Sequence, residues 1–318
     1  MLIVTDATQA PYPDERTVIT IGAYDGLHHG HQSVISAVRE LAAAKGARSA
    51  VVTFDRHPAT VVRPESAPKL LTDHDQRMEL LEQSGIDAAV VLPFDEVQSR
   101  ESPLAFVERV LVKCLRTEYV VVGEDFHFGR NREGNVALLR QLGQTYGFEV
   151  EPMDLIGRRD GIDEPVSSTA IRRALAGGNV SLASRMLGRP FEARGKVVSG
   201  DERGRLLGFP TANVEVPNRV CLPADGVYAG WYERPDGAVH QCAINLGRRP
   251  TFYEHADSSL LEAHLLDFDD DLYGETAKVR FVDFLRSERK FDGIDALKEQ
   301  LQHDVAHARR ILSARPLW

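Results

Sequence analysis

The sequence has 318 residues, of which 43% are apolar and 27% charged, and this composition supports packed cores and excludes a disordered chain. The length is typical of two domains. With 38 basic against 47 acidic residues, the formal net charge of −9 repels a phosphate backbone at long range. We therefore expect no nucleic-acid partner, although a local basic pocket could still hold a nucleotide.

The cysteines and the N-terminus indicate the compartment. Cys114, Cys221 and Cys242 are odd in number and lack CxxC spacing, so we expect buried apolar side chains rather than disulfides or a zinc knuckle. The first residues lack the basic start and apolar core of a secretory signal, and no stretch approaches the roughly 20 apolar residues of a membrane span. The expectation is a cytoplasmic protein without membrane contact.

The first half alternates short apolar runs with amphipathic stretches. The runs are TVITIG, SAVVTF, AAVVLPF and EYVVVGEDF, and the stretches between them are HQSVISAVRELAAAKG, TDHDQRMELLEQSG, SPLAFVERVLVKCL and GNVALLRQLGQTYG. This pattern is typical of a parallel sheet covered by helices on both faces. We predict a doubly wound α/β domain whose ligands lie beyond the carboxyl ends of its strands.

After Phe191 the sequence changes to short runs separated by glycine and proline. These runs are EARGKVVSG, FPTANVEV, GVYAGWYER, VHQCAINLG, LLEAHLLDF and AKVRFVDFLR, and their spacing predicts a β-barrel or sandwich. The final stretch, from Gly293 to Ser313, reads as a long helix, with one apolar stripe made by Leu297, Leu301, Val305, Ala308 and Leu312. We place the domain boundary near residue 186, giving domains 1–186 and 187–318.

The stretch GAYDGLHHGHQ, residues 22–32, follows the first apolar run and precedes a helix. Backbone N–H groups at such a strand-to-helix turn attract phosphate, and Gly22, Gly26 and Gly30 permit close approach. His28 and His31 could contact the same phosphoryl oxygens and stabilise charge that develops during transfer. Two alternatives are a merely polar turn and a metal site formed by His28, His29 and His31, although no Cys or carboxylate at zincin spacing accompanies them.

A second element, PVSSTAIRRALAGG, begins at Pro165. Ser167 or Ser168 would cap a helix, and Thr169 and Arg172 would share a face near its positive end, where a hydroxyl and a guanidinium can bind a phosphate. An ordinary capped helix is the alternative.

Together the HxGH and SSTxIR elements resemble the HxGH nucleotidyltransferase superfamily. GAYDGLHHGHQ, VVTFDRHP, VGEDFHFGRNREGN and VSSTAIRRAL stand in the order found in bacterial bifunctional riboflavin kinase/FMN adenylyltransferases. GRLLGFPTAN, LPADGVYAG, NLGRRPTF and LEAHLLDFDDDLYGE resemble the kinase half of the same family. The resemblance implies a Rossmann-like α/β nucleotidyltransferase domain followed by an antiparallel β-barrel riboflavin kinase domain with a C-terminal helix. Tyr24 departs from the usual phenylalanine but keeps the aromatic ring.

For the first domain the resemblance implies transfer of AMP from ATP to FMN, giving FAD and pyrophosphate. Phosphoryl chemistry of this kind depends on alignment and charge neutralisation rather than on a covalent nucleophile. The implied catalytic residues are His28, His31 and Arg172, and the implied ATP-binding residues are Gly22, Asp25, Gly30, Ser168 and Thr169. The implied flavin-binding residues are Phe54, Asp55, Pro58, Asp125, Phe126 and Phe128. Core packing at strand ends is the alternative for the phenylalanines.

For the second domain the resemblance implies phosphorylation of riboflavin. Thr211 and Asn213, two apart on a strand, would project from one side as hard oxygen ligands for Mg²⁺, although a plain strand start is the alternative. Glu262 would be the general base that accepts the ribityl hydroxyl proton, unless it is an outward-facing edge-strand residue. Gly195, Gly200, Gly204 and Gly208 would form a flap over ATP, or else a plain hairpin loop.

Two rival functions remain open at this point. A flavin carrier or sensor would keep the pockets without the chemistry, but it would not need the phosphate-handling groups. A tRNA-linked HxGH enzyme is disfavoured by the net charge and by the lack of a basic RNA-binding domain. The expected ligands are therefore ATP, riboflavin, FMN, FAD and Mg²⁺, and the oligomeric state stays open, a homo-oligomer included.

Overall fold

A computed structural model describes residues 1–154, 157, 164–200, 203–248 and 259–315. The chain divides into two compact units, Met1–Ser167 and Ser168–Trp318. A domain boundary at residue 186 stays a prediction. Among the described residues, no helix combines the length and the apolar character that crossing a membrane requires.

The first unit is built on a sheet of six parallel strands in the order β1-β4-β3-β2-β5-β8. The predicted parallel sheet is confirmed, and four of its strands are the apolar runs of the sequence. The strands are β1 (Leu2–Val4), β2 (Thr17–Ile21), β3 (Arg48–Phe54), β4 (Ala88–Leu92), β5 (Thr117–Gly123) and β8 (Glu149–Met153). A two-stranded ribbon, β6 (His127–Phe128) with β7 (Gly134–Asn135), follows β5.

Helices cover both faces of this sheet because neighbouring residues of each strand point to opposite sides. Two groups of helices cover the two faces. Val18 and Val51 pack with Ile35 and Leu81 of the first group on one face, whereas Ile19 packs with the second group on the other face. The first group is α1 (His29–Lys45) and α3 (His74–Gln83), and the second is α4 (Pro103–Phe106), a π-helical segment (Val107–Cys114) and α5 (Val136–Tyr146). The stretch SPLAFVERVLVKCL is therefore an α-turn that continues as a π-helix rather than one regular α-helix.

Short elements connect the larger ones. They are α2 (Ala59–Val62) and three single 3₁₀ turns, Pro64–Ser66, Gln98–Arg100 and Arg130–Arg132. The strand order reverses at β2, since β3 and β4 lie on one side of it and β5 and β8 on the other. In open α/β sheets, ligands bind at this reversal, outside the carboxyl ends of the strands.

The second unit contains a closed barrel of six antiparallel strands in the order β10-β13-β12-β11-β14-β9. All six correspond to apolar runs of the sequence. Because the sheet closes on itself, it forms a barrel rather than a sandwich. The strands are β9 (Phe191–Val198), β10 (Ala212–Glu215), β11 (Gly226–Glu233), β12 (Val239–Arg248), β13 (Ser259–Leu265) and β14 (Thr276–Arg286). The described residues of this unit also form three shorter helices, α6 (Ser168–Ala176), α7 (Val180–Leu187) and α8 (Arg203–Leu207).

Aromatic side chains are prominent among the buried residues of the second unit. Phe191, Tyr228, Tyr232 and Phe281 are fully buried. The predicted C-terminal helix is α9 (Ile294–Ser313), whose buried stripe residues Ala308 and Leu312 pack against Trp231 and Val282. The three cysteines are all buried, as their spacing predicted.

Candidate active sites

The turn after β2 brings two histidine rings together. His28 and His31 stack with ring centroids 3.7 Å apart and an angle of 17° between the planes. His28 is the N-cap of α1, where its Nδ1 accepts a long hydrogen bond of 3.4 Å from the backbone N–H of His31. The ring of Tyr24 lies 4.9 Å from that of His31. The HxGH pattern therefore produces a row of three rings at the start of a helix, where partial positive charge favours an anion.

Asp25, an expected ATP-binding residue, stabilises this turn through hydrogen bonds. Its Oδ1 accepts hydrogen bonds from the backbone N–H groups of Leu71 and Thr72, at 2.9 and 3.1 Å. The Thr72 hydroxyl in turn accepts from the N–H of Gly26, 3.1 Å away. The carboxylate is buried at 3% exposure. These contacts give Asp25 a role in holding the turn, and its contact with ATP stays a prediction.

The two expected ATP-binding glycines of the turn lie at positions where a side chain would come very close to neighbouring atoms. A Cβ at Gly22 would lie 3.1 Å from the Tyr24 ring. A Cβ at Gly30 would lie 3.2 Å from the His28 ring and 3.4 Å from the carbonyl oxygen of Val166. The chain that leads into the SSTxIR element therefore passes next to the HxGH turn.

The SSTxIR element forms α6, which begins at Ser168, so Ser167 precedes the first helical residue. Thr169 is exposed and Arg172 half-buried, and both lie in the first two turns of the helix. The predicted helix is thus present, and its capping by Ser167 or Ser168 stays a prediction. Joint action of Ser168, Thr169 and Arg172 with His31 stays a prediction.

The expected flavin-side residues lie at the carboxyl end of β3 or shortly after β3 and β5, which are the two strands beside β2. Phe54 is half-buried, its ring in edge contact with that of Phe94 at 5.2 Å. Phe126 is half-buried and stacks on Phe128 at 5.5 Å, whereas Phe128 is buried in the core beside Phe106. The core-packing alternative thus fits Phe128 better than Phe126, which keeps an accessible face.

The polar flavin-side residues differ in their surroundings. Burial raises the pKa of Asp55, but hydrogen bonds from Arg56 and from the backbone N–H of Phe94 outweigh burial and hold it below the usual range. Asp125 is exposed, and its carbonyl oxygen lies 2.7 Å from Nδ1 of His127. Pro58 begins the short helix α2 as its N-cap. Flavin contact by any of them stays a prediction.

In the barrel, three polar side chains occupy adjacent positions on three neighbouring strands. Glu262 on β13 is paired with Asn213 on β10 and with Asn245 on β12. Nδ2 of Asn245 donates to Oε2 of Glu262 at 3.4 Å. Leu261 and Ala263 are buried whereas Glu262 is half-buried, so its side chain points away from the barrel interior. The alternative that Glu262 lies on an edge strand is wrong, because β13 lies between two strands. The outward direction that this alternative gave to the Glu262 side chain agrees with the structure.

His264 supports the same face of the barrel from the next outward position. Its Nδ1 lies 2.7 Å from the carbonyl oxygen of Pro210, and its ring is in edge contact with Phe209 at 5.5 Å. Both residues immediately precede Thr211, so His264 fixes the start of the PTAN segment. We did not predict a role for His264 or Asn245 from the sequence. His264 is a polar residue two positions after Glu262 in the same strand, and this spacing was the available signal. Asn245 lies on a different strand, so its position beside Glu262 depends on strand register.

The expected glycine flap is not a single loop. Gly195 lies within β9, where a Cβ would overlap the Glu215 carbonyl of β10, and Gly204 lies in α8, against the Phe209 carbonyl. Gly200 lies on Asn213, since a Cβ there would overlap its amide. Residues 201–202, and 249–252 of the NLGRRPTF motif, lie outside the described part of the chain. Gly195 and Gly204 therefore lie in regular elements rather than in a loop, whereas Gly200 and Gly208 lie outside helix and strand. Contact of these glycines with ATP stays a prediction.

Thr211 and Asn213 offer a hydroxyl and an amide oxygen, which are hard donors of the kind that Mg²⁺ takes, and binding of Mg²⁺ by these two residues stays a prediction. Within the described ranges, no group of three or more His, Cys, Asp or Glu side chains could hold a metal ion.

Comparison with known proteins matches both halves of the chain. Residues 11–170 match the FAD synthetase family model and residues 187–312 the riboflavin kinase model. A bifunctional riboflavin kinase/FMN adenylyltransferase of Bacillus subtilis is 36% identical over 94% of this chain and 93% of its own, and that of Escherichia coli K12 is 37% identical over 93% of each. A crystal structure described as a macrolide-efflux protein of Streptococcus pneumoniae is 28% identical, with a TM-score of 0.85, and covers 97% of this chain and 98% of its own. The chain therefore belongs to the family of bifunctional riboflavin kinase/FMN adenylyltransferases.

Proposed function

We propose that the chain makes FAD from riboflavin in two steps at separate sites, each carried by residues described above. The second unit phosphorylates riboflavin to FMN, and the α/β half transfers AMP from ATP to FMN, which gives FAD and pyrophosphate. Two observations support this proposal. Asn213, Glu262 and Asn245 lie side by side across three barrel strands, in a segment that matches the riboflavin kinase family model. The HxGH turn lies in a segment that matches the FAD synthetase family model.

In the kinase reaction Glu262 acts as the general base. The ribityl 5′-hydroxyl oxygen bonds to the γ-phosphorus of ATP, its proton passes to the Glu262 carboxylate, and the bond to the ADP oxygen breaks. Asn245 orients the carboxylate through its hydrogen bond to Oε2. Thr211 and Asn213 would hold Mg²⁺, which neutralises charge on the ATP phosphates. Gly200 covers the Asn213 amide.

In the adenylyl transfer the protein supplies alignment and positive charge. A phosphate oxygen of FMN bonds to the α-phosphorus of ATP while the bond to pyrophosphate breaks, so no covalent nucleophile is needed. His28 and His31, at the start of α1, neutralise the charge that develops during transfer. Three residues of α6 bind phosphate, namely Ser168, Thr169 and Arg172. Gly22, Asp25 and Gly30 shape the turn for ATP. Phe54 and Phe126 offer rings to the isoalloxazine, with Asp55, Pro58 and Asp125 at its polar edge.

One assay tests the proposal directly. The purified protein is incubated with riboflavin, ATP and Mg²⁺, and the flavins are separated by chromatography. FMN and FAD should both appear, and neither should form after Mg²⁺ is chelated. Riboflavin that stays unchanged under full conditions would instead support a flavin carrier.

Two substitutions test the division of labour between the sites. Glu262→Ala should abolish formation of FMN while FMN that is supplied directly is still adenylylated. His31→Ala should do the reverse. Equal loss of both steps in either variant would contradict the assignment.

We further propose a cytoplasmic location, where the ATP that both reactions require is supplied, and no nucleic-acid partner, which the net charge of −9 supports. A homo-oligomer remains compatible with this function, and light scattering on the purified chain measures its mass in solution.

A further inference from the structure

A buried arginine that neither reaction uses connects the two loops of the adenylylation site. Arg77 lies in α3 and is only 5% exposed. Among the described residues, the nearby Asp55 carboxylate forms its ion pair with Arg56 rather than with Arg77, and Nε of Arg77 has no hydrogen-bond partner. Burial lowers its pKa, whereas the more distant charges of Asp25, Asp55 and Asp73 raise it. A buried cation without a paired carboxylate costs stability unless backbone oxygens satisfy its donors.

The donors of Arg77 bind backbone carbonyls at the ends of two strands. Nη1 donates to the Ala23 carbonyl at 3.1 Å, and Nη2 donates to the Phe54 carbonyl at 2.6 Å. Nη2 also lies 3.5 Å from the Asp55 carbonyl oxygen. Ala23 is the second residue after β2, and Phe54 is the last residue of β3. A single planar guanidinium thus spans the carboxyl ends of two adjacent parallel strands.

These two strand ends begin the loops to which we assign different substrates. The loop after β2 leads to His28 and the ATP phosphates, whereas the last residue of β3, Phe54, and the loop that begins at Asp55 lie on the flavin side. A second contact joins them, because the Thr53 hydroxyl donates to the Ala23 carbonyl at 3.4 Å. In-line transfer requires both substrates in one alignment, and a misplacement of about 1 Å can cost about 100-fold in rate. The distance between these loops therefore bears directly on the reaction.

We propose that Arg77 is a positioning residue for adenylyl transfer, which fixes the ATP-side loop and the flavin-side loop relative to each other through their carbonyl groups. This inference rests on the proposed assignment of those loops. Arg77 touches neither substrate and has no part in riboflavin phosphorylation. Its removal takes away the hydrogen bonds that the Ala23 and Phe54 carbonyls share through one guanidinium, and with them the alignment of ATP with FMN.

The test compares Arg77 with a residue that supports the same helix but touches neither carbonyl. Leu81 lies one turn further along α3 and is fully buried in the core. Arg77→Met removes the donors and keeps an apolar stem, Arg77→Lys keeps the charge without the planar fork, and Leu81→Ala loosens the helix packing. Formation of FAD from supplied FMN gives kcat and both KM values, thermal unfolding gives stability, and riboflavin phosphorylation by the same chain is the internal control.

We expect Arg77→Met to lower kcat for FAD formation by about 100-fold and Arg77→Lys by about 10-fold, while riboflavin phosphorylation stays unchanged. Leu81→Ala should lower the unfolding temperature at least as much as Arg77→Met and yet retain kcat. In Arg77→Ala, added ethylguanidinium should restore part of kcat, and the same compound should not stimulate Leu81→Ala.

Several outcomes would overturn the inference. They are equal losses of kcat in Arg77→Met and Leu81→Ala, a stability loss with kcat retained in the Arg77 variants, and an absence of rescue by ethylguanidinium. If Arg77→Met does not fold, Arg77→Lys and the rescue of Arg77→Ala decide in the same way. His31→Ala separates the two proposals: if it leaves FAD formation intact, the loop assignment fails, and if it abolishes FAD formation while Arg77→Met does not, only the role of Arg77 fails.

Discussion

The imidazole rings of His28 and His31 stack on each other, and the same His28 ring accepts a hydrogen bond from the His31 backbone. His28 is buried at 6% exposure, whereas His31 is half-buried. The inner histidine therefore supports both the start of α1 and the position of the outer one. The two residues of the HxGH pattern should consequently respond differently to substitution.

His28→Ala should lower both stability and FAD formation, whereas His31→Ala should lower FAD formation alone. Loss of an N-cap costs about 1 kcal/mol in the free energy of unfolding. Urea unfolding and the adenylylation assay measure the two effects. His28→Asn is the control, since asparagine restores a cap but no ring. If His28→Asn regains full adenylylation, the imidazole itself contributes nothing to the reaction.

Tyr24→Phe should destabilise the α/β half without changing its reaction. The Tyr24 hydroxyl lies 2.6 Å from that of Thr20 in the buried core, so its loss leaves the Thr20 hydroxyl unsatisfied. We expect a decrease of about 1 kcal/mol in the free energy of unfolding, with kcat for FAD formation unchanged because the ring beside His31 remains. Thr20→Val and the double variant complete a cycle in which the two losses should not add. A loss of kcat in Tyr24→Phe would place the hydroxyl in the chemistry.

Asn245→Ala should slow riboflavin phosphorylation by about 10- to 100-fold, because Glu262 loses the amide that orients it. Asn245→Asp places a second carboxylate beside Glu262 and disfavours its ionised form. The acid limb of the pH–rate profile for FMN formation should therefore move to higher pH. Adenylylation of supplied FMN is the control and should be unaffected. An unshifted profile in Asn245→Asp would show that the amide does not act on the base.

The glycines of the kinase half should separate into two classes. Gly200→Ala should displace the Asn213 side chain and slow FMN formation with a small change in stability. Gly195→Ala should weaken the barrel itself, because its Cβ would overlap a backbone carbonyl of the neighbouring strand. Gly293→Ala is the matched control, since a Cβ there would meet nothing within 4 Å. Comparable stability losses in the Gly195 and Gly200 variants would contradict this distinction.

The strands that the sequence predicted are those whose residues are buried on both faces or alternate between a core and solvent. β2 is buried along its entire length, and the six barrel strands all coincide with apolar runs. β1 and β8 were missed because they form the edges of the parallel sheet, where one side of the strand is open to solvent. β8 carries two glutamates and a proline, a composition that an edge strand tolerates and a central strand does not.

The positions of the HxGH, SSTxIR and PTAN elements followed from the sequence, but several supporting contacts did not. Arg77 lies in a helix of mostly polar residues, so its pattern indicates a solvated side chain. It is buried only because two strand ends, far apart in sequence, offer it carbonyl oxygens. Asn245 likewise gains its role from strand register, which a single sequence does not specify. Contacts of this kind depend on tertiary structure rather than on local spacing.

The backbone ladder of the barrel has a consequence for how the enzyme loses its activities on heating. Asn213, Glu262 and Asn245 lie on adjacent paired strands, at a separation of about 4.8 Å between strands that backbone hydrogen bonds maintain. The phosphate-binding residues assigned to adenylylation instead lie in the turn after β2 and in the first turns of α1 and α6, and turns and helix ends open locally at lower free energy than paired strands. On mild heating, adenylylation should therefore be lost before riboflavin phosphorylation. Chromatograms of reactions run at successive temperatures should show FMN accumulating while FAD formation declines.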